Sequence, residues 1–422
     1  MSEFKAISQD RLKVHFLKPE GKISRRELLK LVLPHYEVVP FIEPALCRGS
    51  QECGLCLDAC PLEAVKVEAG EVIIDTTGCS GCGACVEVCP HRAIIYPTFS
   101  LEALDKEMKD LLSPKNVDVV PGMIAAVCQR CLPVDTQGKG RQFSYPAGVL
   151  SLAIPCLAMV SPWLILRAFD MGAQGFALIS GRGKCRSGFD STYWQENVRF
   201  VHELLDCWGI GEERIKVFEA VGDEPGSIEK ELTEFAAEIA GLAPTRLRHS
   251  EPTLVPSQGS RLPALIKGVG NKLNSSSKGV VLAGAVPLGK VELDRTRCTG
   301  CGLCALNCPT EALVISSSGE TDAYQLLFRH EACVACGRCV EVCPEKCLRL
   351  KSILELDRLY CPPTVLCEDV IVRCSRCGSP IGPRTMIDNV RAKVLAAGQS
   401  SPEQFELCPT CKVKAQLGLG RT

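Results

Sequence analysis

Three runs inside Pro121–Ala220 decide how this chain is read: Met123-Ile-Ala-Ala-Val-Cys128, Val149-Leu-Ser-Leu-Ala-Ile-Pro-Cys156, and Phe176-Ala-Leu-Ile179, which enters a Gly-rich loop carrying Cys185. Each is a short apolar run that ends on a cysteine. Between the second and third runs lies a helix signature. Ser161 suits an N-cap, Pro162 the first helical position where no backbone donor is missed, and Gly172 the left-handed C-cap after Trp163 to Met171. A strand-helix-strand unit implies parallel strands with a right-handed crossover, and such sheets bind ligands beyond the carboxyl ends of their strands. Cys128, Cys131, Cys156 and Cys185 are therefore expected on one rim. Four thiolates gathered there, in a chain with no secretory signal, read as an iron-sulfur or zinc site rather than as two disulfides.

The same stretch resembles the iron-sulfur electron-transfer (delta) subunit of methyl-viologen-reducing hydrogenases. The residues that carry the resemblance are Cys128-Gln-Arg-Cys131, Tyr145-Pro146, Pro155-Cys156, Leu164 through Ala168-Phe169, Gly172-Ala173-Gln-Gly175, Cys185, and the helix around Asn197, Arg199 and Leu204 to Gly209-Ile210. They span about a quarter of the chain. The family's first pair encloses an aromatic, whereas Gln129-Arg130 stand here, a departure that touches the cluster's environment more than its ligation. The resemblance implies a 2Fe-2S cluster on the four cysteines and a partner of the heterodisulfide reductase-like flavoprotein type.

The composition outlier is cysteine, at 28 of 422 residues, grouped in Cys-x-x-Cys units rather than scattered, which is metal-ligand spacing in a reducing compartment. Net charge is −1, so neither a nucleic acid nor a membrane surface is an electrostatically favoured partner. Ser24-Arg25-Arg26-Glu27-Leu28-Leu29-Lys30 has the look of a twin-arginine export motif, but Lys30, Pro34, His35 and Glu37 break the apolar run that should follow. An N-terminal helix with Ser24 and Glu27 as capping box is the better account. The uncharged stretch Ala147–Leu166 is long enough to span a bilayer, yet Pro155 and Pro162 divide it into strand, turn and helix. A cytoplasmic protein without a membrane span is expected.

On either side lie cluster runs. Cys47, Cys53, Cys56, Cys60-Pro61 and Cys79, Cys82, Cys85, Cys89-Pro90 form one block, its first run carrying a wider loop after Cys47; Cys298, Cys301, Cys304, Cys308-Pro309 and Cys333, Cys336, Cys339, Cys343-Pro344 form a second. C-x2-C-x2-C-x3-C-P is the two-cluster ferredoxin pattern, in which the fourth cysteine of each run ligates the other cluster. The expected 4Fe-4S ligand sets are thus Cys47, Cys53, Cys56 with Cys89; Cys79, Cys82, Cys85 with Cys60; Cys298, Cys301, Cys304 with Cys343; and Cys333, Cys336, Cys339 with Cys308. Four positions after each run stand Ala64, Ala93, Ala312 and Cys347, so Cys347 is read as a small core residue. His91 is read as a solvated loop histidine and Cys207, alone in its helix, as a buried free thiol. The C-terminal pairs Cys374-Ser-Arg-Cys377 and Cys408-Pro-Thr-Cys411 suit a closed tetrahedral zinc site or a rubredoxin-like iron. Cys361 and Cys367 stay unassigned.

The expected architecture is an α/β central domain, an open parallel sheet of flavodoxin-like kind, flanked by two α+β dicluster ferredoxin domains and a small zinc-ribbon-like module. Its boundaries are a helical segment at 1–40, ferredoxin at 41–98, the 2Fe-2S domain at 119–241, a Pro-rich linker at 242–288, ferredoxin at 289–353 and the four-cysteine module at 354–422. Ligand sets account for 24 of the 28 cysteines, and no Gly-rich dinucleotide loop or nucleophile-base arrangement accompanies them, so no catalytic residues are assigned. Closed thiolate sites describe an electron wire. Placed by the resemblance, it runs between a hydrogenase or formate dehydrogenase and a heterodisulfide reductase-like flavoprotein in an anaerobe. The alternative is a reductase with its own unrecognised flavin or substrate site. Recruitment of nucleic acid by the C-terminal module is disfavoured by the charge.

Overall fold

The computed structural model describes residues 12–15, 35–112, 122–128, 145–181, 192–220, 226–248, 250–254, 261–274, 279–284, 286–317, 322–397 and 405–417. The chain forms two compact units, Met1–Val286 and Pro287–Thr422.

Unit one opens with an antiparallel ladder between β1 (Leu12–His15) and β2 (His35–Val38), so the described part of the segment read as helical is a strand pair. The helix expected at Ser24–Lys30 lies outside the described residues. A ferredoxin-type block follows: β3 (Phe41–Ile42), α1 (Gly49–Glu52), α2 (Leu55–Asp58), β4 (Val65–Glu68), β5 (Glu71–Ile74), α3 (Ala84–Val88) and β6 (Ile94–Ile95), with β3–β6 and β4–β5 antiparallel. Helix α4 (Leu101–Leu111) leads onward. The Ser100 hydroxyl accepts from the Ala103 N–H at 3.0 Å to cap it, and Leu104 and Met108, one turn apart, form its buried stripe.

The central domain contains β7 (Met123–Cys128), β8 (Val149–Ile154), α5 (Pro162–Asp170), β9 (Gly175–Gly181), α6 (Thr192–Cys207), β10 (Ile215–Ala220) and α7 (Gly226–Gly241). Its four strands are all parallel, in the order β8-β7-β9-β10. Period-two alternation sends Met123, Ala125, Val127, Ala177 and Ile179 to one face, where Ile228, Leu232, Phe235 and Ile239 of α7 cover them. Ile124, Ala126, Phe176 and Leu178, facing the other way, are equally buried, since α5 packs on β9 and α6 on α5. A sheet covered on both faces reads as continuous apolar runs, which is what the sequence carries. Gly172 has φ +101°, and an added Cβ would lie 2.8 Å from the Arg248 carbonyl oxygen, so the helix stop needs glycine. Ser161 occupies the N-cap of α5, but its side chain does not make the capping bond.

The stretch 242–288, read as a linker, includes a packed helix. This is α8 (Arg261–Lys272), whose Pro263, Leu265, Ile266 and Val269 are buried as α8 packs against α5. Pro263 sits in the first turn, where its missing N–H costs nothing, and the apolar residues recur at helical spacing. Electrostatics pin this helix in place. The Asp170 carboxylate, with no exposed surface, accepts from Arg167 (2.7 Å), from the Thr253 N–H (2.8 Å) and hydroxyl (2.7 Å), and from Lys272, while Arg167 also grips Asp105 of α4 at 2.6 Å. A buried carboxylate persists only when so compensated.

Unit two holds the second ferredoxin-type block and the C-terminal pairs. Its elements are β11 (Lys290–Leu293), α9 (Leu303–Leu306), β12 (Leu313–Ser317), β13 (Ala323–Phe328), α10 (Arg338–Glu341), β14 (Leu348–Lys351), β15 (Thr364–Arg373), β16 (Pro380–Pro383), α11 (Arg384–Ala396) and α12 (Pro409–Gln416). β11 pairs with β14, and a four-stranded antiparallel sheet runs β12-β13-β15-β16. The sequence boundary at 353/354 therefore falls within one sheet, because β15 continues the ferredoxin hairpin into the C-terminal part. Among the described residues no helix is long and apolar enough to cross a membrane.

Asp170→Ala is expected to destabilise unit one by about 3 kcal/mol, because it strips Lys272 of its buried carboxylate partner and the Thr253 N–H and hydroxyl of their acceptor, while Arg167 keeps Asp105. Anaerobic urea unfolding checks this; a loss below about 1 kcal/mol would mean that the apolar face of α8 holds it without the carboxylate.

Candidate metal centres

Four cavities in the two units are each lined by at least four cysteines. Cys60, Cys79, Cys82 and Cys85 line one, and Cys47, Cys53, Cys56 and Cys89 another. In unit two, Cys298, Cys301, Cys304 and Cys343 line a third, and Cys308, Cys333, Cys336 and Cys339 a fourth. The structure thus brings the fourth cysteine of each run to the opposite run's cavity.

Local backbone geometry explains how short runs achieve this, and it repeats four times. After the second cysteine of each run stands a glycine in the left-handed region: Gly54 (φ 83°), Gly83 (φ 77°), Gly302 (φ 77°) and Gly337 (φ 76°). That conformation turns the chain into the one-turn helix α2, α3, α9 or α10, which carries the third cysteine inward. Three residues after the fourth cysteine the chain turns left-handed again, at Glu63, Arg92, Glu311 and Lys346, with φ between 46° and 52° and no glycine to ease it. The next N–H then points back at sulfur: Ala64 to Cys60 Sγ at 3.2 Å, Ala93 to Cys89 Sγ at 3.3 Å, and Ala312 to Cys308 Sγ at 3.2 Å. Gly49, Gly81 and Gly300 make like bonds to Cys47, Cys79 and Cys298 at 3.2–3.4 Å.

Charge bears on the fit. Burial, followed by the neighbouring thiols, pushes Cys56 and Cys304 up to about 12, and Cys85 is driven in the same direction. Burial also raises Cys333 to about 12 and Cys339 to about 11. Four thiolates in one dry cavity repel each other unless cationic iron compensates. The donor set, the closed coordination and the N–H bonds all fit a 4Fe-4S cluster.

Outside the fourfold pattern several residues depart from their reading. Cys347 is buried, as expected of a core residue, but it also lines the third cavity, with Sγ 3.5 Å from Cys343 Sγ. Burial pushes the Cys343 thiol up, but backbone N–H groups, that of Cys347 foremost, and the Cys347 side chain outweigh it and lower the thiol overall. Cys367 is half-buried on β15 beside Cys298, which raises it to about 11 together with burial, the larger cause. Sequence could not place it there, since the contact depends on the β13–β15 ladder. His91 is half-buried and lines the second cavity rather than standing in solvent. Cys207 is exposed, correcting its reading as a buried thiol: Trp194, Val198, Val201, Leu205 and Trp208 turn inward, and Cys207 falls off that stripe. Cys361 is exposed.

On the central sheet, Cys128 ends β7 and Cys156 follows β8, both 1% exposed, at adjacent carboxyl ends. Cys131 and Cys185 lie outside the described residues. The Asn197 Nδ2 donates to the Val160 carbonyl at 3.0 Å and so ties α6 to the segment after Cys156. In unit two, Cys374, Cys377, Cys408 and Cys411 bring their sulfurs within 4.8 Å of one another, a spacing four ligands of one ion would have. The Cys408 N–H donates to Cys374 Sγ at 3.3 Å and, ahead of the other backbone donors, brings that thiol down to about 6.

Comparison with known proteins follows these divisions. Residues 297–347 match a 4Fe-4S dicluster domain and residues 72–95 a 4Fe-4S binding domain, so the chain is an iron-sulfur protein with ferredoxin-type 4Fe-4S domains before and after a parallel α/β domain in sequence. Residues 123–243 match the family described as methyl-viologen-reducing hydrogenase, delta subunit. The chain is 31% identical over 115 residues to an iron-sulfur subunit of an F420-non-reducing hydrogenase from Methanocaldococcus jannaschii, covering 27% of this chain and 85% of that protein. It is 31% identical to the corresponding subunit of Archaeoglobus profundus (29% and 92% covered) and 28% identical to that of Methanococcus maripaludis (30% and 97%). The chain belongs to this hydrogenase delta-subunit family, extended by the two ferredoxin-type blocks.

Cys347→Ala, which installs the residue the other three runs carry, is expected to leave iron content unchanged, whereas Cys343→Ala should lose about four iron atoms per chain. An anaerobic iron assay reads both. Equal losses would make Cys347 a ligand.

Proposed function

We propose that the chain is the iron-sulfur electron-transfer subunit of an anaerobic, cytoplasmic redox complex. It carries electrons between a hydrogenase or formate dehydrogenase and a heterodisulfide reductase-like flavoprotein. The observation that carries this reading is the gathering of thiols into four cavities lined by at least four cysteines each, in a chain that also carries the cysteine-bearing sheet rim of the hydrogenase delta-subunit family. In this reading each of the four cavities holds a 4Fe-4S cluster on its four cysteines. Cys128, Cys131, Cys156 and Cys185 hold a 2Fe-2S cluster, and Cys374, Cys377, Cys408 and Cys411 hold zinc in a zinc-ribbon-like module. Such clusters supply one-electron chemistry; the protein sets their potentials through hydrogen bonds to sulfur, burial and nearby charge.

Numbered along the domain, the strand order is 2-1-3-4, which matches the start of the flavodoxin-like order 2-1-3-4-5. The switch point of that order lies between β7 and β9, and Cys128 ends β7. Hydrogenase partnership is supported by the names of the relatives. A reducing compartment is supported by cysteines spaced as metal ligands, and near-zero net charge weighs against nucleic acid.

Anaerobic metal analysis should find about 18 iron atoms and one zinc per chain. About 8 iron would remove half of the clusters, and one extra iron with no zinc would make the C-terminal site a rubredoxin-like centre. Cys156→Ser should erase the 2Fe-2S electron paramagnetic resonance signal and leave the ferredoxin-type signals. The dithionite-reduced chain should reduce viologen dyes yet show no turnover with hydrogen, formate or a disulfide. Turnover together with a flavin absorbance would instead make it a reductase in its own right.

A further inference from the structure

We propose that, of the two ferredoxin-type cysteine sets in the first block, the one formed by Cys60, Cys79, Cys82 and Cys85 exchanges electrons with the central sheet rim, across the contact between the Cys82–Ala84 turn and the Cys156–Met159 turn. The proposal rests on reading both cysteine sets as clusters. Cys82, Ala84, Cys156 and Ala158 form one buried cluster, with exposures of 8%, 1%, 1% and 0%. A ligand candidate from each domain thus belongs to the same dry patch. The approach is close because Gly83 has no side chain: a Cβ there would lie 2.6 Å from Met159 Sδ. Met159 is 1% exposed, and its N–H donates to the Cys156 carbonyl at 3.0 Å, so its side chain is carried on the very turn that Cys156 opens.

The other set contributes no cysteine to that patch. Apart from its cysteines, the cavity of Cys47, Cys53, Cys56 and Cys89 is lined by residues such as Ile42, Val72, His91 and Ile94, all from the ferredoxin-type block. Neither cavity has a central-domain residue in its described lining; what separates the two sets is the buried patch with Cys156, to which Cys82 of the Cys60 set belongs and no cysteine of the Cys47 set does. Tunnelling probability falls steeply with distance and with every gap in the packed medium, so a van der Waals junction at one set outcompetes a jump from the other. The order along unit one is therefore the Cys47 set, then the Cys60 set, then the sheet rim, in whichever direction the complex drives. One electron leaves the Cys60 set, which is oxidised by one unit, and arrives at the rim set, which is reduced by one. No bond forms or breaks and no proton need move. Met159 and Gly83 are positioning residues that set the length of the step.

The test is pulsed electron paramagnetic resonance on the anaerobically purified full chain, reduced with dithionite and assayed for iron. Fast spin relaxation of the central signal is expected in the wild type and in Cys53→Ala, and a several-fold slowing in Cys79→Ala. Slowing in Cys53→Ala alone, or identical relaxation in all three chains, overturns the path. Should Cys79→Ala not fold, Met159→Ala keeps every cysteine; it is expected to slow electron equilibration between the ferredoxin-type and central signals several-fold after flash reduction, with signal intensities unchanged. An unchanged rate overturns the path as well. A wild type lacking the central signal overturns the cluster reading beneath the proposal, an outcome distinct from a central signal that is present but uncoupled.

Discussion

A backbone N–H aimed at a cysteine sulfur by a left-handed residue is the contact on which the ferredoxin-type halves of this protein depend. In each of the four runs the residue three places after the last cysteine takes φ between 46° and 52°, although it is Glu63, Arg92, Glu311 or Lys346 and not glycine. Such a conformation costs of order 1–3 kcal/mol. It persists because it turns the following N–H toward a half-buried cysteine sulfur, to which it donates at 3.2–3.3 Å after Cys60, Cys89 and Cys308.

The cysteine runs made their cavities legible from spacing alone, because ligand spacing is a local property and the crossing of the fourth cysteine follows from it. The parallel strands were legible for a similar reason: Met123–Cys128 is a continuous apolar run, as a strand buried on both faces requires, while the edge strand Val149–Ile154 is apolar but for Ser151, which is exposed. Features fixed by distant partners were not legible. Helix α8 hides behind prolines and is held by Asp170, some hundred residues earlier, through Lys272. Strand β15 joins β13 across a boundary that composition seemed to mark, and that ladder is what brings Cys367 beside Cys298. Cys207 was misjudged because an unpartnered cysteine is more often buried than exposed, whereas the stripe of α6 leaves this one in solvent.

In unit one the ferredoxin-type block and the parallel α/β domain meet in one buried contact. The ferredoxin-type block offers a glycine at Gly83, which its own turn needs for φ 77°, and the same missing side chain makes room for Met159. One glycine thus serves both ligand geometry and domain contact. The central sheet contributes a rim whose turn is fixed by Asn197 and by the bond from Met159 to Cys156. Rigid placement on both sides is what short electron steps require, since the rate depends on distances that neither domain could hold by itself.

An iron-edge anomalous difference map from crystals of the anaerobically purified chain tests the central claim most directly. Iron density is expected in each of the four cysteine-lined cavities, with a fifth site beyond the strand ends at Cys128 and Cys156. Iron in the four cavities with none at the sheet rim would contradict it, leaving the central domain a scaffold and not a part of the conducting path.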